Sequence, residues 1–116
     1  MRVDVDHYED GTLRSVHMYD DDGEMHNDIG PAYQGFYKNG AEWVREYYTR
    51  GNLHREDGPA CQRWDINGRV VAAMHFLGDR FLSKADWERR VKGVKVQANG
   101  ETKYISRESA EALGFL

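Results

Sequence analysis

Residues 23–50 and 51–78 of this 116-residue chain align without a gap and share eight identical residues. The identical pairs are Gly23 and Gly51, His26 and His54, Gly30 and Gly58, Pro31 and Pro59, Ala32 and Ala60, Gln34 and Gln62, Asn39 and Asn67, and Gly40 and Gly68. The N-terminus adds a partial copy, because Asp10-Gly11 precedes Tyr19 as Asn39-Gly40 precedes Tyr48. Self-similarity at this period predicts stacked supersecondary units that bury their apolar faces against one another.

Glycine follows Asp or Asn six times, and this dipeptide is the strongest short signal for a hairpin turn. The six glycines are Gly11, Gly23, Gly40, Gly58, Gly68 and Gly100. Short runs rich in aromatic and β-branched residues lie between these turns. We therefore predict a mainly β fold, an open antiparallel meander of repeated hairpins with two short C-terminal helices.

Strict alternation along these strands divides the apolar side chains between two faces. The predicted core face carries Phe36, Val44, Tyr48, Trp64, Ala72 and Phe76. The opposite face would carry Tyr33, Tyr37, Trp43, Tyr47 and His75, which is unusually aromatic for exposure to solvent. Two explanations stay open: either the C-terminal segment covers this face, or the face is a contact surface.

The pattern changes after Gly78. Ser83 is placed to cap a helix over 84–92 that Gly93 ends, and residues 94–105 read as a hairpin with an Asn99-Gly100 turn. Ser106 is placed to cap a last helix over 107–113. We predict a single domain over 1–116, with hairpin repeats in 1–78 and this helix, hairpin and helix as an appendage in 79–116.

Composition excludes several classes of protein. The single cysteine, Cys61, excludes an internal disulfide and a cysteine-rich zinc site. No apolar stretch approaches the length of a membrane span, and the N-terminus MRVDVDHYED does not resemble a signal peptide. We expect no membrane partner and a cytoplasmic location, which is the host cell cytoplasm if the protein is viral.

The charges are distributed unevenly along the chain. Residues 1–30 hold nine acidic residues against two basic ones, whereas residues 79–107 hold eight basic residues against four acidic ones. An acidic end can meet a basic groove of a partner, and a basic end can meet phosphate, but solvated faces have the same composition. The charge pattern therefore leaves both kinds of partner open.

The strings GNLHREDGPACQRWDINGR and GEMHNDIGPAYQGFYKNGA resemble a repeat widespread in bacteriophages and giant viruses, G-x-L-H-R-x-D-G-P-A followed by a strand and a turn. This repeat is similar to a MORN-repeat variant that also occurs in antitoxin-like bacterial proteins. The second copy fits closely, whereas the first has Asn27 where Arg55 falls and Asp28 one place earlier than Asp57. Over residues 8–92, the resemblance implies a hairpin meander used for protein contacts, with no common enzymatic activity.

Four features suggest chemistry, and each has a simpler structural interpretation. The positions of the HREDGPA segment recur in the first copy as HNDIGPA, so its residues are better explained as parts of a turn. His26 and His54 lack the close pairing of zinc ligands, and Asp20-Asp21-Asp22-Gly23-Glu24 lacks the spacing of a calcium loop. Cys61 has no histidine near it in sequence and is better explained by packing. We therefore predict no catalysis, no cofactor and no metal site.

The leading hypothesis is a non-catalytic protein-binding module, phage- or virus-encoded, that occupies a surface of a larger host protein, with inhibition of a host defence protein as one role. Its predicted contact residues are Tyr33, Tyr37, Trp43, Tyr47, Asp20, Asp21 and Asp22. The alternatives are an antitoxin-like partner and a nucleic-acid-associated regulator, and nucleic acid is the less favoured partner. The regulator would act through Lys92, Lys95, Lys103 and Arg107. A homodimer is a further hypothesis that the sequence leaves open.

Overall fold

The computed structural model describes residues 1–105 and 107–114, with the backbone alone for Val94, Lys95, Ala98, Arg107 and Glu108. The chain is mainly β, with an antiparallel sheet of hairpins and two short helices near the C-terminus, as the repeat predicts. It divides into two compact units, residues 1–81 and 82–116, which we describe separately. The single domain stays a prediction.

Consecutive hairpins build the main sheet. The strands are β1 (Arg2–His7), β2 (Leu13–Tyr19), β3 (Tyr33–Phe36), β4 (Glu42–Glu46), β5 (Tyr48–Thr49), β6 (Asn52–Leu53), β7 (Cys61–Trp64), β8 (Val70–Leu77) and β9 (Arg80–Leu82). Seven of them form the sheet in the order β1-β2-β3-β4-β7-β8-β9, while β5 and β6 pair only with each other. Strands that follow one another along the chain are therefore neighbours in the sheet, apart from the β5-β6 insertion, as in a meander.

The glycines of five predicted turns adopt the left-handed backbone conformation, with φ between 75° and 88°. Four of these turns close in the same way, because the glycine N–H donates to the carbonyl three residues earlier, from Gly11 to Tyr8, Gly23 to Asp20, Gly40 to Tyr37 and Gly68 to Asp65. Gly58 is the exception, since its φ is not positive. A Cβ there would lie 2.8 Å from Arg55 Cζ, so this glycine permits a close approach instead of a hairpin turn.

The core of the first unit is thin and consists of small side chains. Its buried residues include Ser15, Ala32, Val44, Ala60 and Cys61. Of the predicted core, Val44 is buried, and Phe36, Tyr48, Trp64, Ala72 and Phe76 are half-buried. The larger aromatic rings therefore lie at the margin of the core.

The second unit follows its predicted local signals. Helix α1 (Lys84–Lys92) begins after Ser83, whose hydroxyl accepts the N–H of Asp86 at 3.1 Å, and ends at Gly93 with φ 83°. Strands β10 (Val94–Ala98) and β11 (Glu101–Ile105) form the expected hairpin, and α2 (Arg107–Ala112) follows. The predicted cap Ser106 lies outside the described residues. No helix in the described parts of the chain has the length and apolar character needed to cross a membrane.

Candidate functional site

A β-bulge recurs in three hairpins of the main sheet, β1-β2, β3-β4 and β7-β8, and shapes the site. The register shifts between Asp6 and His7, between Gly35 and Phe36, and between Arg63 and Trp64. Each shift leaves one extra residue on the following strand, namely Arg14, Trp43 and Val71. Because a bulge lets two successive residues face the same way, it reverses the alternation expected from the sequence.

At the second bulge, Gly35 makes room for two side chains. A Cβ at Gly35 would lie 2.5 Å from Trp43 Nε1 and 2.8 Å from Val44 Cγ1. Both side chains therefore lie over the glycine, on the sheet face that also carries Tyr33. Strict alternation predicts Val44 on the core face and Trp43 and Tyr33 on the opposite face. This prediction is wrong, because strict alternation does not allow for the bulge.

An open groove of about 530 Å³ lies on this face, and we call it the aromatic groove. Its lining residues are Asp6, Tyr8, Arg14, Ser15, His17, Tyr33, Tyr37 and Trp43. Three of the four predicted aromatic contact residues thus come together with two aromatic side chains of the N-terminal hairpin and its turn. Tyr8 was missed, although it stands before Asp10-Gly11 as Tyr37 stands before Asn39-Gly40.

Two tyrosine hydroxyls in the groove tie one repeat copy to the next. The Tyr8 hydroxyl donates to the Phe36 carbonyl at 2.7 Å, and the Tyr37 hydroxyl donates to the Trp64 carbonyl at 2.9 Å. Tyr33 instead stacks its ring on His17, with centroids 4.6 Å apart. Tyr33 is therefore the groove tyrosine most available for contact with a partner.

The groove also contains charge. Arg14 Nε lies 3.9 Å from Asp6 Oδ2, and the Arg14 and Lys38 cations lie 5.6 and 5.5 Å from the centre of the Tyr8 ring. Burial and the nearby Glu46 carboxylate raise the pKa of Tyr33. The Tyr33 ring is therefore neutral at physiological pH, and the groove offers apolar ring surface beside a carboxylate and a guanidinium.

Tyr47 lies away from the other three predicted aromatic residues. Register and alternation place it on the opposite sheet face, with the Arg55 guanidinium 3.9 Å above its ring. His75, which pairs with Tyr47 in the repeat, is on that face as well. The predicted common face of Tyr33, Tyr37, Trp43 and Tyr47 is therefore wrong, because the bulge at Trp43 reverses the alternation of the residues that follow it, including Tyr47 just after the end of β4.

Tyr47 lines a second open groove, of about 730 Å³, between the loops that precede β3 and β7. A histidine holds each loop in the same way. His26 Nδ1 accepts the N–H of Arg50 at 2.9 Å, and His54 Nδ1 accepts the N–H of Gly78 at 3.0 Å. Both Nδ1 atoms are acceptors and neither ring is free, which supports the structural interpretation of these histidines.

Two carboxylates of the acidic turn, residues 20–24, make contacts within the protein. Asp20 Oδ1 accepts the N–H groups of Asp22 and Glu24 at 3.0 and 2.9 Å. Asp21 Oδ1 lies 2.5 Å from the amino group of Met1, which lowers the pKa of the Asp21 carboxyl. Asp22 is exposed. Of the three predicted acidic contacts, Asp21 and Asp22 are thus exposed, and Asp20 is half-buried.

The described basic candidates lie beside carboxylates. Lys92 Nζ is 3.9 Å from Glu88 Oε1, and Lys103 Nζ is 3.6 Å from Glu101 Oε2. Lys95 lies on β10 and Arg107 on α2, but their side chains fall outside the described residues. The described part of this segment therefore presents partly neutralised charge.

Cys61 is buried, as expected of a packing residue. Its thiol lies 3.6 Å from Glu46 Oε2, and the Tyr48 hydroxyl donates to Glu46 Oε1 at 3.0 Å. Burial and the Glu46 carboxylate raise the pKa of the Cys61 thiol and of the Tyr48 hydroxyl. A raised pKa disfavours the thiolate that a nucleophile needs. Among the described residues there is also no group of His, Cys, Asp or Glu suited to a metal ion.

Comparison with family models, curated proteins and solved structures finds no significant match to this chain. The likeness to the viral repeat therefore stays a prediction from the sequence motif.

Proposed function

We propose that the chain is a non-catalytic protein-binding module that contacts its partner through the aromatic groove. The observation that carries the proposal is the convergence of four aromatic rings and His17 in one open groove. Tyr and Trp are enriched among the residues that dominate binding energy, because they bury large area at low entropic cost. The groove rings are half-buried, so they are fixed in place while part of each ring still faces the groove.

Charge favours a basic partner surface. Within the groove Arg14 balances Asp6, but the exposed Asp4 precedes Asp6 on β1, and residues 1–30 carry a large acidic excess. An arginine or lysine of the partner would meet both the carboxylates and the faces of the rings. In the phage or viral setting that the repeat resemblance implies, that partner is a larger host protein. Occupation of a defence protein's working surface would then inhibit it.

Tyr33→Ala is the sharpest test. Trp43 packs over Gly35, and the Tyr37 hydroxyl donates to a backbone carbonyl, so replacing either residue would also damage the fold. The partner is captured from host lysate with the wild-type chain and identified by mass spectrometry, and its affinity is then measured by calorimetry. Loss of an anchor tyrosine costs about 2 kcal/mol, which is about thirtyfold in Kd. Tyr104→Ala, at an exposed tyrosine of β11, is the matched control and should leave Kd unchanged.

Equal affinities for wild type and Tyr33→Ala would contradict the proposal. Recovery of nucleic acid alone, with affinity that falls steeply with salt and on the double substitution Lys92→Gln and Lys103→Gln, would instead support the nucleic-acid alternative. The two hypotheses differ in the residues on which they depend, so a single set of purified variants separates them.

A further inference from the structure

The first edge of the main sheet is open. Within the described parts of the chain, strand β1 pairs with β2 on one side only, and all six of its residues are exposed. An edge strand presents a row of unpaired backbone N–H and C=O groups to any strand of matching pattern. Residues 2–6 of β1 keep regular pairing with β2, because the bulge follows Asp6. This edge is therefore straight enough to receive another strand.

The two faces of β1 differ in chemistry. Arg2 and Asp4 share one face, where Arg2 Nε lies 3.4 Å from Asp4 Oδ1. Val3 and Val5 share the other face, where they are 50% and 51% exposed beside Met18 and Val16 of β2. An incoming strand would bury these valines if it offered apolar residues on their face and opposite charges on the other.

We propose that β1 pairs antiparallel with β1 of a second copy of this chain, about a twofold axis through Val3. In this register Arg2 lies opposite the partner subunit's Asp4, and Val3 lies opposite the partner subunit's Val3. Met1 lies opposite the partner subunit's Val5. Every cross-strand pair in MRVDV is then either an Arg–Asp pair or an apolar pair, so the segment is complementary to itself.

Neighbouring registers lack this match. An axis through Asp4 also sets Arg2 opposite the partner subunit's Asp6, but it places the two Asp4 carboxylates opposite each other at the axis. An axis through Val5 places Asp4 opposite the partner subunit's Asp6. Like charges directly opposite each other destabilise a strand pair. Arg2 and Asp4 carry opposite charges at the spacing that the axis through Val3 requires.

The dimer would also arrange the aromatic grooves. A twofold axis between antiparallel strands of one sheet runs perpendicular to that sheet, so both copies keep the same face on the same side. The two grooves would then open in one direction and could engage a partner with two equivalent sites. The pairing of β1 does not depend on what the groove binds.

Charge reversal with rescue tests the pairing on the full chain, by sedimentation over a range of protein concentrations. Arg2→Asp and Asp4→Arg each place like charges opposite each other at two positions per dimer. Each should weaken the dimer by about tenfold or more, and the double variant should restore it. Asp6→Arg lies outside the paired segment and should leave the dimer unchanged. A monomeric wild type at high micromolar concentration, or a double variant that stays monomeric, would overturn the proposal.

A disulfide fixes the register. Val3→Cys places two thiols directly opposite each other across the axis, so mild oxidation should yield a covalent dimer on a non-reducing gel. Val5→Cys is the matched control, because that residue faces the partner subunit's Met1 and should not crosslink. The native Cys61 is 2% exposed and will not compete. Crosslinking through Val5→Cys in preference to Val3→Cys would refute the axis through Val3.

Discussion

The two repeat copies, 23–50 and 51–78, form the same contacts with partly different residues. His26 and His54 each bind a backbone N–H 24 residues further along the chain. Asn27 Nδ2 donates to the Pro31 carbonyl at 3.0 Å, and Arg55 Nη1 donates to the Pro59 carbonyl at 3.1 Å. A short amide and a long guanidinium thus serve one structural purpose, which shows that the loop geometry is what the repeat preserves.

The copies differ where the aromatic groove lies. The first copy supplies Tyr33, Tyr37 and Trp43 to the groove, and the second has Cys61, Asp65 and Val71 at the same repeat positions. Identical positions therefore build the scaffold, and the positions at which the copies diverge build the candidate binding surface. The HREDGPA motif is the most conspicuous one in the sequence, and its recurring positions accordingly belong to the scaffold.

Gly35→Ala should have the largest effect on stability. Its new Cβ would clash with Trp43 and Val44, and overpacking of this kind costs about 1–3 kcal/mol in free energy of unfolding. Arg63→Ala changes the exposed residue at the same position of the second copy and should cost less than about 0.5 kcal/mol. Urea unfolding followed by tryptophan fluorescence measures both. Equal costs would mean that the bulges of the two copies are packed alike.

The same glycine shows what the sequence could and could not predict. Hairpins, helix α1 and the β10-β11 hairpin follow from local signals such as Asx-Gly pairs and the Ser83 cap, so they were predictable. The side of the sheet on which Tyr47 lies was not predictable, because one bulge at Trp43 reverses the alternation of the residues that follow it, up to and including Tyr47 just after β4. A bulge depends on packing between strands, and the nearest sequence signal is a glycine inside a strand.

Replacement of either loop histidine should have the second largest effect on the free energy of unfolding. His26→Ala and His54→Ala each leave a backbone N–H without its acceptor, which costs about 1–2 kcal/mol. His26→Ala should lose more stability than His54→Ala, because His26 Nε2 lies 2.7 Å from Asp28 Oδ1, while His54 Nε2 lies 3.7 Å from Glu56 Oε2. The conservative variants His26→Asn and His54→Asn retain an acceptor near the Nδ1 position. If the asparagine variants unfold at the same urea concentration as the alanine variants, the backbone bond is not what stabilises the loop.

Arg55→Asn makes the second copy resemble the first and should have a smaller effect. Asparagine can still reach the Pro59 carbonyl, as Asn27 reaches Pro31, but the guanidinium contacts with Asp57 and Tyr47 are lost. We expect a loss of about 0.5–1 kcal/mol, since the Asp57 carboxylate is exposed and the Tyr47 ring is only half-buried. Thermal unfolding at pH 7 measures this loss, and a cost near that of His54→Ala would show that Arg55 has a larger role than Asn27.

The difference in stability between wild type and Arg55→Asn should depend on pH. The hydrogen bond from Arg55 lowers the pKa of the Asp57 carboxyl below its usual value. A carboxyl with a depressed pKa in the folded protein stabilises it above the unfolded pKa, and the contribution is lost as pH falls through the folded pKa. The stability gap between wild type and Arg55→Asn should therefore narrow from about pH 5 downwards, which unfolding curves at several pH values will show. A constant gap would assign the effect to the ring of Tyr47.

Installing the second copy's ion pair in the first copy should have the smallest effect. Ile29 occupies the repeat position of Asp57 and is 97% exposed, so Ile29→Asp alone should change stability by less than about 0.5 kcal/mol. Combined with Asn27→Arg, it recreates the Arg55–Asp57 pair, whose coupling in a double-mutant cycle should be about 0.2–0.5 kcal/mol, as for other surface pairs. Because the two loops share their histidine and proline contacts, the new pair should form without rearrangement. A coupling of zero would mean that the loops differ in backbone as well as in side chain.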